Sequence, residues 1–418
     1  MAAATTKPSN PMLSKLASKL EESAKNAPVL ALDEEKKKTK KKDDKPLSFA
    51  ERRAAITKTH LEALGKKYGE GAICLASNST YRSVPRLSSG LLDLDRALGG
   101  GFPRGRVSLV SGNWSSGKTR IALSIIADAQ KRSVVNNKYL WEDMPEEERI
   151  PYSCCFIDVE GALSPSWAAD CGVDLERLML ARPKSQEESA EIAITAVSSG
   201  AYDLVIIDSL AQMMAESEAE AAMDDPSTGM GTPKKNNQMF RKIQIHLNRL
   251  SQSEDTEDIL PTVIVLNQIR VKIARGPSWG GPQMSRPGGV GQDFTASCIV
   301  ALWPASVEYF DTDKQFPKMA NFGFVIEKNK VSTPKIHGEF VMAVADDPKG
   351  AFKAGEYLEK TAVENYASQL GWMHNEGGYY WRGEKFQRKM DLTAKYFDDK
   401  QEFCLIKRDI LDVICPKK

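Results

Sequence analysis

The sequence predicts an α/β protein: a mostly parallel sheet with helices on both faces, followed by a small α+β unit. Three observations carry that prediction. From about residue 81 to 350, strand-like apolar runs alternate with helical stretches, the order a parallel sheet requires. The runs are continuously apolar, as suits strands covered on both faces. Near Asp347 the composition shifts to a turn-like stretch, and a basic, aromatic-rich segment follows.

The elements can be justified in chain order. Residues 1–47 are rich in Lys, Ala, Ser and Pro, and six of the seven residues from Lys36 to Lys42 are lysine. Such a segment buries too little surface to offset its ordering entropy, so a disordered arm is expected. Its lysine run reads equally as a solvated tail or as a nucleic-acid-binding arm. An N-terminal helix/strand segment over residues 48–80 comes next. Ser48 precedes Glu51 at the spacing of a capping box, and Ile56, Leu61 and Leu64 form an apolar stripe, which predicts a helix from Ser48 to Tyr68. The core, residues 81–350, has candidate strands at Arg106–Val110, Cys154–Asp158, Leu204–Asp208, Thr262–Asn267, Ile299–Trp303 and Phe322–Lys328. Residues 351–418 make the small C-terminal unit.

Composition excludes some classes. No run reaches the ~18 apolar residues of a membrane helix, and the opening residues lack the apolar core of a secretory signal. Seven cysteines form no C-x-x-C pair, and Cys154 and Cys155 sit in an apolar run, which fits a reducing cytoplasm. The four histidines are scattered, so no histidine metal site is expected. The chain carries 57 basic and 56 acidic residues among 418, a net charge of +1. That sum hides local contrasts, because residues 268–292 hold four basic residues and no acidic one.

The first chemical signal is Gly112-Asn113-Trp114-Ser115-Ser116-Gly117-Lys118-Thr119, which fits G-x-x-x-x-G-K-[ST] between a predicted strand and a helical pattern beginning at Arg120. The glycines let backbone N–H groups turn inward around phosphates, and the helix start adds a positive dipole end. Lys118 would reach the β- and γ-phosphates, and Thr119 would ligate Mg²⁺. The run Leu204–Asp208 is an apolar strand ending in an acid, placing Asp208 to hold the same metal. A second strand end, Phe156-Ile-Asp158-Val159-Glu160, offers a carboxylate to polarise an attacking water. Together these predict a nucleoside triphosphatase that uses Mg²⁺.

The second signal lies in two loops. Residues 216–238 end near Lys234 and Lys235. Residues 268–292 carry six glycines, three prolines, Arg270, Lys272, Arg275, Arg286 and a lone aromatic, Trp279. Long loops inside compact domains are usually functional. Basic residues with glycine and an aromatic suit single-stranded nucleic acid, whose phosphates follow the charges while bases stack on the ring. A basic, solvated surface loop is the plainer reading. Gln268 opens the loop and could either contact the γ-phosphate or merely cap its strand.

At this point the chain resembles the RecA family of homologous-recombination ATPases. The likeness rests on LSSGLLDLDRALGGGFPRGRVSLVSGNWSSGKT, FIDVEGALSPSWAADCGVD, LVIIDSLAQM, VLNQIRVKI, the pair Gly288-Gly289, VIEKNKV and ENYASQLGWMHNEGGYYWRGEKF. It implies a RecA-like ATPase core, an N-terminal polymerisation helix and a small C-terminal domain. It further implies that Glu160 is the catalytic glutamate, that Gln268 senses the γ-phosphate and that Trp167 stacks on the adenine. On residues alone Lys328 and Lys330 read as ordinary edge-strand charges, whereas the resemblance implies that they reach a neighbouring subunit's ATP. Four positions depart from the family pattern. Asn113-Trp114 replaces Pro-Glu in the loop, Ser164 stands where an Asp is usual, and Trp279 replaces a phenylalanine. The chain ends Cys-Pro-Lys-Lys rather than in an acidic tail, so tail-based inhibition of duplex binding is not expected to transfer.

The implied function is a DNA-dependent ATPase that forms a helical homo-oligomeric filament on single-stranded DNA and exchanges strands with homologous double-stranded DNA. It would work in the cytoplasm of a bacterial or phage-infected cell, away from membranes. The alternatives are a hexameric RecA-fold helicase and a filament mediator that binds ATP without hydrolysing it.

Overall fold

The computed structural model describes residues 48–68, 84–213, 231–251, 259–271, 284–311 and 313–416. Two units divide at Glu70/Gly71. In the first, helix α1 (Phe49–Tyr68) starts at the predicted capping box: the Ser48 N–H donates to Glu51 Oε2 at 2.7 Å, and the Glu51 N–H to Ser48 Oγ at 3.3 Å.

The second unit opens with an antiparallel pair, β1 (Arg86–Leu87) and β2 (Phe102–Pro103), and is built on an eight-stranded sheet. Its strands are β3 (Val107–Gly112), β4 (Cys154–Asp158), β5 (Leu178–Ala181), β6 (Leu204–Asp208), β7 (Thr262–Gln268), β10 (Cys298–Phe310), β11 (Asp313–Asn329) and β12 (His337–Ala343). Their order is β12-β11-β10-β3-β7-β6-β4-β5, parallel from β10 to β5, with β11 antiparallel to both its neighbours. Successive side chains alternate between two apolar layers. Phe156, Ile206, Ile264 and Val300 face one layer, covered by Ile121, Leu123 and Ile125 of α3 (Lys118–Ala129), while α2 (Leu92–Leu98) adds Leu94 and Leu98. Ile157, Ile207, Val265 and Ile299 face the other, under α5 (Gln186–Ser198) and α6 (Gly231–Leu250), which supply Val197, Phe240, Ile243 and Leu247. Burial on both faces explains the continuous apolar runs.

Two strands run several residues beyond their predicted ends, whereas β3 and β7 overrun by two and one. β10 passes through Pro304 to Phe310, and β11 begins at Asp313. The β10–β11 register shifts between Pro304 and Ser306, and such an irregularity tolerates a residue with no N–H to give. β5 and β12, at the two sheet edges, were not anticipated.

The C-terminal unit comprises α8 (Lys360–Gln369), a small antiparallel sheet of β13 (Met373–Asn375), β14 (Tyr379–Trp381) and β15 (Glu384–Phe386), then α9 (Lys389–Tyr396) and α10 (Lys400–Ile414). Trp381, Leu392, Phe397, Ile406 and Ile410 form its core, which also takes in Leu92 of α2. A polar clasp fixes that junction. Glu359 accepts from the Leu92 N–H at 2.6 Å, and Lys407 donates to Glu359 at 2.6 Å and to the Gly90 carbonyl at 2.7 Å.

Candidate nucleotide site and nucleic-acid interface

The glycine-rich loop joins β3 to α3 at the C-terminal end of the parallel strands, where open α/β sheets bind ligands. Its backbone demands its sequence. Gly117 has φ +83°, and a Cβ on Gly112 would lie 2.3 Å from Ser116 Oγ and 2.7 Å from the Leu302 carbonyl. Ser115 also adopts a positive φ, of 56°. Lys118 folds back across the loop, donating to the carbonyls of Gly112 at 3.2 Å and Asn113 at 2.7 Å, with Ser116 Oγ at 3.5 Å. Burial lowers the pKa of its ammonium, against the pull of Asp208 and Glu160. Trp114, by contrast, projects from the loop at 84% exposure.

Thr119 Oγ1 donates to Asp208 Oδ2 at 2.8 Å, so the two predicted metal ligands meet beneath the loop. Asp208 is only 6% exposed, and burial pushes its pKa up to about 6, with Glu160 adding to the rise and the Thr119 bond opposing it. An all-oxygen pair with a carboxylate short of compensating charge fits a hard divalent cation. Among the described residues no cluster of three His, Cys, Asp or Glu could cage a metal, so phosphates and water would complete its shell. A pH prediction follows. Below about pH 6 the Asp208 carboxyl carries a proton and loses its charge, so Mg²⁺-dependent nucleotide affinity falls as pH drops through 6. Mg²⁺ titrations at stepped pH read this directly, and Asp208→Asn should flatten the profile.

Glu160 follows β4, and its Oε1 accepts from Ser209 Oγ and, at 3.4 Å, from Gln268 Nε2. Gln268 ends β7 and leads into a two-stranded ladder of β8 (Arg270–Val271) and β9 (Met284–Ser285), at the root of the second predicted loop. Carboxylate, glutamine and loop root therefore form one connected path. The sequence did not single out Ser209. Asp158 serves the geometry rather than the chemistry: it accepts from the N–H groups of Ala162 and Leu163 and pairs with Arg182 at 3.4 Å, bracing the turn that carries Glu160.

The remaining predicted residues fall in different places. Trp167 lies in α4 (Pro165–Asp170), capped by Ser164, and is 36% exposed. Arg120 is buried in the first turn of α3. Lys328 and Lys330 donate to main-chain carbonyls at the end of α7 (Gly291–Thr295): Lys328 to Asp293 and Phe294, Lys330 to Phe294 at 3.0 Å. Lys328 pairs in register with Ile299, near the start of β10, whereas Gly112 pairs with Leu302 further along it. The lysines thus occupy the end of the sheet away from their own phosphate loop.

Of the predicted nucleic-acid residues, Lys272, Arg275 and Trp279 lie outside the described residues, as do 216–230 of the first loop. Arg270 and Lys234 are exposed. Lys235 pairs with Glu187. Arg286 departs from its expected role as a phosphate-tracking charge. It donates to Ser111 Oγ at 3.0 Å and to Asp293 at 3.1 Å and pairs with Glu327, so all three guanidinium nitrogens are engaged. Gly288 and Gly289 have φ near +90°, and Cβ atoms there would lie 2.8 Å from Asn236 Nδ2 and 3.1 Å from Pro233 Cβ. The glycine pair therefore packs the root of the second loop onto the start of α6, whose residues 231–238, expected as the end of the first loop, are helix.

A family profile described as the RecA N-terminal domain matches residues 55–346. The chain belongs to the RecA family. It is 32% identical over 347 residues to Protein RecA of Picosynechococcus sp., covering 83% of this chain and 88% of that protein. Against Protein RecA of Streptococcus uberis it is 31% identical over 372 residues, covering 88% and 87%. This RecA-family chain is accordingly an ATP-dependent recombinase and a DNA-dependent ATPase. No helix among its described residues is long and apolar enough to cross a membrane.

Proposed function

We propose that this chain polymerises on single-stranded DNA with ATP and Mg²⁺ and exchanges that strand with a homologous duplex. The path from Glu160 through Gln268 to the β8–β9 ladder carries the reading, because it ties the state of the nucleotide to the root of a basic loop. In this scheme residues Gly112–Thr119 and Arg120 surround the phosphates and sugar, and Trp167 stacks on the base. Thr119 and Asp208 hold Mg²⁺, which neutralises charge on the β- and γ-phosphates when bound. Glu160 takes a proton from the attacking water, and Gln268 exchanges its bond to Glu160 for one to the γ-phosphate. That exchange would pull on Arg270 and the loop beyond it, coupling hydrolysis to release of DNA. Lys328 and Lys330 act on the ATP of the adjoining copy, in the manner of an arginine finger.

Single-stranded DNA would lie along Lys234, Arg270, Lys272, Arg275 and Trp279. Electron microscopy of the full chain with single-stranded DNA and a slowly hydrolysed ATP analogue tests the assembly. Open helical filaments are expected; closed rings would instead place the chain with the ring-forming motors of this fold.

A further inference from the structure

Trp114 sits within the phosphate loop, yet its side chain is 84% exposed, and the next residues, Ser115, Ser116 and Gly117, are small. The backbone there shapes the loop while the indole faces solvent. At the opposite end of the sheet, an open pocket of about 660 Å³ lies where β3 and β10 begin. Phe294, 76% exposed, and the exposed Ile245 give it apolar walls. Arg106, Arg241 and Lys330 supply cations, and no carboxylate lines it. Lys330 connects the two features. It borders the pocket and donates to the Phe294 carbonyl at 3.0 Å. If Lys328 and Lys330 act on the ATP of the adjoining copy, the mouth of this pocket meets that copy's phosphate loop, from which Trp114 projects.

The chemistry of the two surfaces matches. A tryptophan ring carries roughly 200 Å² of mostly apolar surface, and aromatic pairs gain beyond simple burial. An arginine guanidinium is drawn to the face of an indole. A phosphate would engage the cations but leave Phe294 and Ile245 in water. A neutral ring, by contrast, uses both kinds of wall and leaves Lys330 free for the nucleotide. We propose that Trp114 of one copy enters this pocket on the next, packing on its Phe294 and Arg241, and so anchors the joint that holds the shared ATP. The inference rests on the reading that Lys328 and Lys330 act in trans.

The protein concentration at which the full chain half-assembles on single-stranded DNA, followed by light scattering with a slowly hydrolysed ATP analogue, tests it. Trp114→Ala and Phe294→Ala should each raise that midpoint by about tenfold, the scale of a well-placed interface anchor. Trp114→Phe keeps a ring and should recover part of the loss. Both side chains are exposed, so neither change opens a cavity in the core. Mixing decides the matter. Either variant alone damages every joint, whereas an equimolar mixture restores the intact pair wherever a Trp114-bearing loop meets a Phe294-bearing pocket. The mixture should therefore assemble at a clearly lower concentration than either variant. No gain on mixing, or an unchanged midpoint in either variant, would overturn the proposal. Arg241→Gln addresses the other occupant. A raised midpoint with the wild-type salt dependence supports the ring, while a salt slope flattened by about one phosphate contact would assign the pocket to nucleic acid and overturn it. Lys330→Ala checks the premise: unchanged DNA-stimulated turnover at every protein concentration sinks the reading in trans and the proposal with it. Lowered turnover there, beside unaltered assembly of the Trp114 and Phe294 variants, sinks the proposal alone.

Discussion

Lys118→Ala is expected to lower DNA-stimulated ATP turnover by at least about 100-fold, the scale on which loss of one charge-stabilising donor acts in a preorganised site. The loss should fall on binding and chemistry together, because the ammonium sits across the loop on the Gly112 and Asn113 carbonyls, at the position phosphate oxygens would share. The fold should survive. Lys118 belongs to neither apolar layer, and the loop keeps its shape through Gly112 and Gly117. Thermal unfolding within a few degrees of wild type, alongside abolished turnover, is the expected pair of results. Equal turnover in the two proteins would remove the phosphate loop from the mechanism.

Glu160→Gln should separate binding from chemistry. The substitution keeps an oxygen that can accept from Ser209 Oγ but removes the basic carboxylate. General bases contribute roughly 100- to 10,000-fold, so turnover should fall by that order while nucleotide affinity stays close to wild type. Filaments on single-stranded DNA should form and persist, since in the proposed scheme assembly needs ATP bound and disassembly needs it cleaved. Turnover measured beside filament lifetime by light scattering gives both readings. An unchanged rate would favour a mediator for which ATP is a structural clip.

Much of this was readable from residues alone, for reasons the structure makes plain. β4 and β6 match their predicted bounds because each is a run buried on both faces that stops at an acid at its C-terminal end. The capping box at Ser48 and Glu51 is local chemistry and was legible as such. What escaped depends on partners far along the chain. β5 has a half-exposed, short pattern that only its place beside β4 makes a strand. The three strands of the C-terminal unit have three residues each, too few for any period to declare itself. The run of β10 past Trp303 escaped because the irregularity beside Pro304, an extra residue at Ala305, shows only in its pairing with β11.

The site shows the same division. The loop, Thr119, Asp208 and Glu160 were evident from spacing after strands. The employment of Arg286 was not, since Asp293, Glu327 and Ser111 lie 7, 41 and 175 residues away. Nor was the burial of Arg120 against the ring of Tyr357, which lies on a distant segment.

The placement of Lys328 and Lys330 has a consequence for kinetics. If the lysine pair acts on a neighbour's ATP, as proposed, a chain with its phosphate loop at one end of the sheet and its lysines at the other joins copies head to tail, through unlike surfaces that need not close. Under the proposed scheme, two joined copies share one complete joint and leave one bare cleft and one idle lysine pair. Every longer run likewise has one fewer working joint than it has members. A solitary copy is therefore silent, and output per copy climbs toward a plateau as runs lengthen. Dilution or frequent breaks would throttle ATP consumption without any inhibitor, so that fuel is spent chiefly where a long stretch of bare strand has gathered many copies.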